Sequence, residues 1–307
     1  MKKVVCWTLV VVLTILLVVV IGGSFYMLDY ALAPEPYRTD TAAYYRTLFK
    51  DYPETRPWVD SLRQRNALRD TFVTMPNGER HHALVIHRGS NRTALVLHGY
   101  RGCSIQFLFL ARLYGRELGY NVVLPDHSAH GLSQGDAIQM GWLDRTNVLR
   151  WLDLFQTDTM VVHGVSMGGA MTMMASAEPL PEGIRDIRFV DDCGYTSVWD
   201  EFAGELRNQF GLPSFPLLYT ANLLCKLRYG WSFREASAID VVRQSPYPML
   251  FIHGSDDTFV PTEMVYRLHE AKNTPKTLWV PAGAAHAESY KKHPVEYSRQ
   301  VREFLKQ

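Results

Sequence analysis

The chain opens with an uncharged run from Val4 to Ile21, eighteen residues in which only Thr8 and Thr14 bring polar oxygens. As a helix this run spans about 27 Å, close to the thickness of a bilayer's hydrocarbon core. Gly22-Gly23-Ser24 is a poor cleavage site, and Phe25-Tyr26-Met27-Leu28 prolongs the apolar character. Residues 1–28 therefore read as an uncleaved anchor rather than a removed signal. Lys2 and Lys3 precede the run and no comparable basic cluster follows it. That asymmetry places the amino terminus in the cytoplasm and the remainder of the chain outside it. Residues 29–69 are polar and aromatic, with Pro34, Pro36, Pro53 and Pro57. They read as a juxtamembrane segment with one or two short helices, holding the following domain clear of the lipid. On this reading, removal of residues 1–28 releases a soluble domain.

From residue 70 the pattern alternates. Short apolar runs at 70–74, 82–87, 93–97, 121–124, 159–163, 187–191, 248–254 and 276–280 predict strands. Helical stretches at about 104–118, with Ser104 as a good N-cap, and at 142–155 separate some of them. Strands alternating with helices indicate a mostly parallel sheet wound on both faces. The stretch from Ser197 to about Ala238 breaks this rhythm: it is rich in Phe, Leu, Tyr and Trp, and Pro213 and Pro216 divide it into two helical pieces.

Composition adds little to this. With 47% hydrophobic residues the 307-residue chain suits one globular domain plus appendages, and 32 Lys+Arg against 31 Asp+Glu give no electrostatic case for nucleic acid. Of four cysteines, Cys6 falls in the apolar run, and the odd remainder of Cys103, Cys193 and Cys225 leaves at least one free thiol.

The chemistry is concentrated in a few loops. Gly164-Val165-Ser166-Met167-Gly168 follows the strand at 159–163 and precedes a helix of small residues. G-x-S-x-G in that setting lifts a serine hydroxyl above the sheet edge at a helix N-terminus. A serine needs a base and an orienting acid. Downstream, Gly254-Ser255-Asp256-Asp257 ends a buried strand, and His286 lies in a small-residue loop after the last strand. Asp256 and Asp257 are both available as the acid. His127 and His130 near Asp126 invite a metal reading, but no further cluster with zinc-like spacing accompanies them. His81 and His82, just after the Asn77-Gly78 turn, read as exposed, and His253 at a strand end as structural.

These motifs, with His98-Gly99-Tyr100, Asp126 and His130 to Gly135, Asp192 to Ser197, and Gly254 through Asp257 to Pro261, resemble the α/β-hydrolase superfamily of serine hydrolases. The likeness is to membrane-anchored bacterial members of the serine aminopeptidase-like and monoacylglycerol lipase-like group, and covers about residues 70–307. It implies an α/β-hydrolase fold over residues 70–307, with a small helical cap at about 197–238 and one transmembrane helix ahead of the domain. It implies Ser166 as nucleophile, His286 as base, Asp257 rather than Asp256 as the acid, and an oxyanion hole from the amides of Tyr100 and Met167. It also implies no cofactor and no metal. The expected activity is hydrolysis of a carboxylic ester with a short to medium acyl chain. The same machinery serves an amidase, a peptidase or an acyltransferase, and a non-catalytic binding protein on this scaffold is the alternative of a different class. The expected partners are a small acyl ester or amide and the membrane, with the oligomeric state left open.

Overall fold

The structure, a computed structural model, describes residues 2–306. Met1 of the expected cytoplasmic tip and Gln307 at the end of the expected hydrolase domain lie outside the described residues.

Helix α1 runs unbroken over Lys2–Leu32 and is long and apolar enough to cross a membrane. Two short helices follow, α2 over Thr41–Asp51 and α3 over Arg56–Gln64. The strands are β1 Leu68–Thr74, β2 Arg80–Ile86, β3 Arg92–Leu97, β4 Asn121–Pro125, β5 Thr159–Val165, β6 Asp186–Asp192, β7 Met249–Ile252 and β8 Lys276–Trp279. They form one eight-stranded sheet in the order β1-β2-β4-β3-β5-β6-β7-β8. Pairing is parallel from β4 to β8, and only β2 runs against its neighbours. The order reverses around β3, so the loops leaving β3 and β5 diverge and open a crevice at the strands' carboxyl ends.

Alternate residues of each strand face opposite layers, as the period of two requires. Leu95, Leu97, Val162, Phe189 and Phe251 point into one core, and Ala94, Val96, Val161, Val190 and Leu250 into the other. The first core is closed by α5 (Asp144–Leu154), α6 (Met167–Ala175), α9 (Ala238–Val242) and α10 (Glu263–Ala271), which bring Trp151, Met171, Val242 and Leu268. The second is closed by α3, by α4 (Leu108–Arg112) and by the carboxyl-terminal helix over Pro294–Phe304. The single helix expected at 104–118 begins as a tight turn at Ser104–Phe107 and widens after Arg112, where the Leu118 amide reaches back to the Leu113 carbonyl.

The expected cap is a pair of helices, α7 over Val198–Phe210 and α8 over Leu217–Tyr229. Ser197 caps α7 by accepting from the Asp200 amide, and the proline-bearing stretch 211–216 separates the two. A proline lacks the amide a helix interior needs.

Two expectations about the amino-terminal third need correction. The boundary at residue 28 falls inside α1, whose last turns belong to the folded domain: Leu28 and Leu32 are buried in the first core, and Ser24 donates to the Leu217 carbonyl of α8. Residues 29–69 are likewise no spacer. Trp58, Val59 and Leu62 form the apolar face of α3 and sink into the second core with Leu48 of α2. Amphipathic helices beside an uncovered sheet face bury that face against it. Cutting after residue 28 would remove Ser24 and Leu28 from these contacts, and the part of α1 that packs on the domain begins at about Gly23.

Leu32→Ala should cost about 2–5 kcal/mol, as buried leucine truncations do, seen as a lowered thermal midpoint of the detergent-solubilised protein. Val11→Ala, on the exposed stretch of the same helix, should stay within about 0.5 kcal/mol of the parent. Equal effects would mean that the end of α1 contributes nothing to the core.

Candidate active site

The turn from β5 into α6 is closed by two glycines. A Cβ on Gly164 would run into the Gly168 carbonyl and the Thr172 hydroxyl, and one on Gly168 into the Leu97 and His98 carbonyls. Between them Ser166 adopts φ 57°, ψ −119°, a region that a side chain occupies only when its surroundings force it. Its amide is tied to the Asp192 carbonyl at the end of β6, 2.8 Å away. The hydroxyl is thereby pushed above the sheet edge, leaving the residue 9% exposed.

Ser166, His286 and Asp257 stand in one hydrogen-bonded line. His286 Nε2 lies 2.9 Å from Ser166 Oγ, and Nδ1 lies 2.7 Å from Asp257 Oδ2. Asp257 Oδ1 accepts from the amides of Phe259 and Val260, both at 3.0 Å. The loops carrying the acid and the histidine are stitched together by Ser255 and Asp256 amides donating to the Pro281 and Ala284 carbonyls. Asp256 itself is exposed and its carboxylate accepts from the Ser255 hydroxyl. Geometry thus distinguishes the two aspartates in favour of Asp257.

Burial pushes the Asp257 carboxyl upward, but hydrogen bonds from His253 and His286 outweigh it and hold the group below the usual carboxylate range. His253 is a partner that the sequence reading left as merely structural. Its Nε2 lies 2.9 Å from the Val260 carbonyl and 3.2 Å from Asp257 Oδ2, the same carboxylate oxygen that His286 contacts. Its position at the end of a strand just before the acid loop was the only signal for it.

Tyr100 and Met167 both line the pocket that opens on Ser166. Neither amide is spent on a loop, turn or cap bond among the described residues. Gly99 brings the β3 loop so near that a Cβ there would sit 3.4 Å from the Ser166 Cβ. An unspent amide at a helix N-terminus beside a second on a neighbouring loop is the kind of arrangement that can stabilise an anion.

The histidines near Asp126 are consumed by the scaffold. His98 Nδ1 faces the Gly99 carbonyl and its Nε2 accepts from the His127 amide; His127 Nε2 faces the His98 carbonyl; His130 binds the Ser128 carbonyl and the Arg101 amide. Cys193, Asp257 and His286 do bring ligand-type atoms within 4.8 Å of one another. However, both His286 nitrogens are engaged and burial holds the Cys193 thiol well above its ordinary value, hence protonated. That set does not fit a metal ion. All four cysteines are free thiols.

His81 and His82, expected to be exposed, are both buried. Both faces of β2 are covered, with Ala83 in the first core and Leu84 and Ile86 in the second. His82 Nδ1 lies 2.7 Å from Asp126 Oδ2, and the same carboxylate accepts from the Ser104 and Leu132 amides. Beneath the serine, Tyr114, His163, Tyr297 and Asp192 form a buried relay at 2.8–2.9 Å. Burial drives His163 down to about 3, so the ring is neutral and serves only as a bridge.

The pocket beside Ser166 is a cavity of about 230 Å³. Phe202, Leu206 and Phe210 of α7, Leu218 of α8 and Phe259 line it, and so do Met27, Leu28, Tyr30 and Ala31 of α1. No feature of the sequence announced that last wall, because it depends on where α1 docks. Glu201 also lines the cavity: it is 5% exposed, and Oε2 has no partner among the described residues. Burial, helped by Glu205, raises its carboxyl to about 8, so it is neutral at pH 7 and the cavity keeps an apolar character.

Comparison with known proteins agrees with this architecture. The profile of the alpha/beta hydrolase family matches residues 94–300. The chain is 32% identical over 218 residues to YqkD, an uncharacterized protein of Bacillus subtilis, covering 69% of this chain and 70% of that one. It is 26% identical over 194 residues to uncharacterized YfhR of Escherichia coli K12, covering 62% of this chain and 61% of that one. Among solved structures, the esterase Pf2001 of Pyrococcus furiosus superposes with a TM-score of 0.63 at 25% identity, over 78% of this chain and 90% of the esterase.

Asp126→Asn should cost about 3–5 kcal/mol in urea unfolding, because it strands buried partners. The pH dependence has a fixed sign. The His82 pair holds Asp126 down against burial, and the Asp126 and Asp70 carboxylates hold His82 up against burial. Asp126 therefore adds stability above about pH 4 that is lost as pH falls through its lowered value. His82 adds stability below about pH 6.5 that is lost as pH rises through its raised value. The variant should lose both limbs; an unchanged pH profile would contradict the pair.

Proposed function

The chain belongs to the alpha/beta hydrolase family, and from that premise we propose that it is a serine hydrolase cleaving a carboxylic ester through an acyl-enzyme. The observation that carries the reading is the Ser166–His286–Asp257 line of hydrogen bonds. Ser166 attacks the ester carbonyl as His286 takes its proton, and the amides of Tyr100 and Met167 hold the oxyanion. His286 then returns the proton to the leaving alcohol, and water repeats the sequence to free the acid. Asp257 stays ionised and fixes the ring tautomer. The apolar cavity favours an acyl chain of short to medium length, and the similarity to an esterase supports ester cleavage. The same triad serves amides or acyl transfer.

We further propose that α1 crosses the cell membrane with its amino terminus in the cytoplasm. Its exposed apolar run from Val4 to Val19 supports the anchor, and the two lysines before that run support the orientation.

Ser166→Ala should lower ester turnover on the order of a million-fold and abolish fluorophosphonate labelling. Asp257→Asn should cost about 10⁴-fold while Asp256→Asn stays near wild type; the reverse order would reassign the acid. His286→Ala should be as severe as Ser166→Ala, and ester turnover retained by that variant would remove His286 as the base. Running p-nitrophenyl esters of graded length beside aminoacyl p-nitroanilides separates esterase from amidase.

Above about pH 8 Glu201 ionises and puts a charge in the cavity. KM for a medium-chain ester should therefore climb in that range with kcat less affected, and Glu201→Gln should remove the climb. A rise that persists in this variant would show that another group is responsible.

A further inference from the structure

We propose that the acyl cavity opens toward the bilayer and that the substrate is the acyl ester of a membrane glycerolipid, drawn in between α1 and the cap. The proposal deepens the esterase reading and rests on the anchoring of α1.

The membrane helix is a working wall of the site. Met27, Leu28, Tyr30 and Ala31 face the same cavity as Ser166. The last carbonyls of a helix lack partners within it, and here the domain supplies them. The Tyr100 hydroxyl donates to the Ala31 carbonyl at 2.7 Å, Arg101 to the Tyr30 carbonyl at 2.7 Å, and the Ile138 amide to the Leu32 carbonyl at 2.8 Å. Tyr100 and Arg101 sit on the loop that offers the oxyanion amide, so the end of α1 is clamped to the catalytic corner.

The other wall leads back to the lipid. Glu201, Phe202, Glu205, Leu206, Gln209 and Phe210 present one face of α7 to the cavity, over about 13 Å of helix from first to last. The far end, Phe210, meets Tyr30 of α1 edge-on at 6.1 Å. Beyond it the chain from Asn208 to Cys225 carries no charge. Within that stretch Phe210, Leu212, Phe215 and Tyr219 are exposed, Phe215 to 71%. This apolar edge is continuous with the span: Leu217 touches α1 at Ser24 and Gly23, immediately beyond the uncharged run that ends at Ile21. With Val4–Ile21 in the hydrocarbon, the α7–α8 loop therefore rests at the lipid boundary. The first ion pairs appear further along, at Asp29–Arg228 and Glu35–Arg101. An exposed apolar edge between a span and a charged collar is a membrane-contacting surface. A lipid's acyl chain can reach Ser166 there without crossing water, while its ester and headgroup stay on the polar side. In the reaction the ester C–O bond breaks as the Ser166 Oγ–acyl bond forms. The lysolipid alcohol leaves with the proton from His286, and water then releases the fatty acid.

The test uses the full-length chain in vesicles of phosphatidylethanolamine and phosphatidylglycerol doped with lysophospholipid and monoacylglycerol. Fatty-acid release is followed beside hydrolysis of soluble p-nitrophenyl butyrate. Wild type should release fatty acid and Ser166→Ala should not. Phe215→Ser and Leu212→Ser lie outside the cavity lining. Each should slow lipid hydrolysis by at least about tenfold, since burying one large apolar side chain exceeds the increment that shifts an equilibrium tenfold. Butyrate hydrolysis and the thermal midpoint should stay unchanged in both. Turnover of butyrate with intact lipids, or equal slowing of both substrates by both loop variants, would overturn the proposal while sparing the esterase reading. Activity on neither substrate would overturn the esterase reading itself. Loss of the protein from vesicles on carbonate washing would overturn the anchor.

Discussion

The packing of α6 against the carboxyl ends of β3 and β5 is the constraint on which the site depends. Backbone meets backbone at Gly164 and Gly168 with no room for a side chain, so β5 can turn into α6 within one residue, and that residue is held at a positive φ. Such a conformation is costly for serine and persists because its neighbours over-determine it. The Ser166 amide is tied to β6, and β5 is braced from below through His163 to Tyr114 and Tyr297. A rigid sheet thus delivers a reactive hydroxyl, and the flexible parts of the chain are left to shape what reaches it.

Electrostatics around that hydroxyl are sorted by depth. The carboxyl that must stay charged, Asp257, is buried but receives two backbone amides and two imidazoles. Carboxyls without such partners rise instead: burial takes Asp191 to about 7 and Glu201 to about 8. Burial acts on all three; the imidazole and amide donors hold Asp257 down, while neighbouring carboxylates add to the rise of Asp191 and Glu201. That is why one carboxylate in this neighbourhood can orient an imidazole while another lines an acyl cavity as a neutral group.

The amino-terminal helix has two unlike parts, an exposed apolar stretch and an end buried in the domain. Its first part has a polar partner for nothing but its own backbone, whereas its last turns carry Leu28 and Leu32 into the core and hand their carbonyls to Tyr100, Arg101 and Ile138. Because one continuous helix carries both, the position of the Ser166 loop relative to the exposed apolar stretch is set by helix geometry rather than by a linker.

The sequence by itself determined the sheet, the elbow and the chain order of Ser166, Asp257 and His286, which the structure brings into one hydrogen-bonded line. Each of these is written in local patterns: apolar runs with period two, glycines where backbones collide, and short loops at strand ends. Residue type alone left Asp256 and Asp257 equivalent; the family resemblance preferred Asp257, and in the structure it is Asp257 that meets His286. Other features were decided at long range. His81 and His82 read as exposed because nothing nearby shows that β2 is an interior strand, flanked by chain that lies both before it and some forty residues after it. His253 joined the acid, and Glu201 entered the cavity, through the meeting of elements distant in sequence. The docking of α1 is the clearest case. Hydropathy reports how apolar a helix is and not what covers it, so only the tertiary structure could show that α1 buries Leu28 and Leu32 while its first part stays exposed.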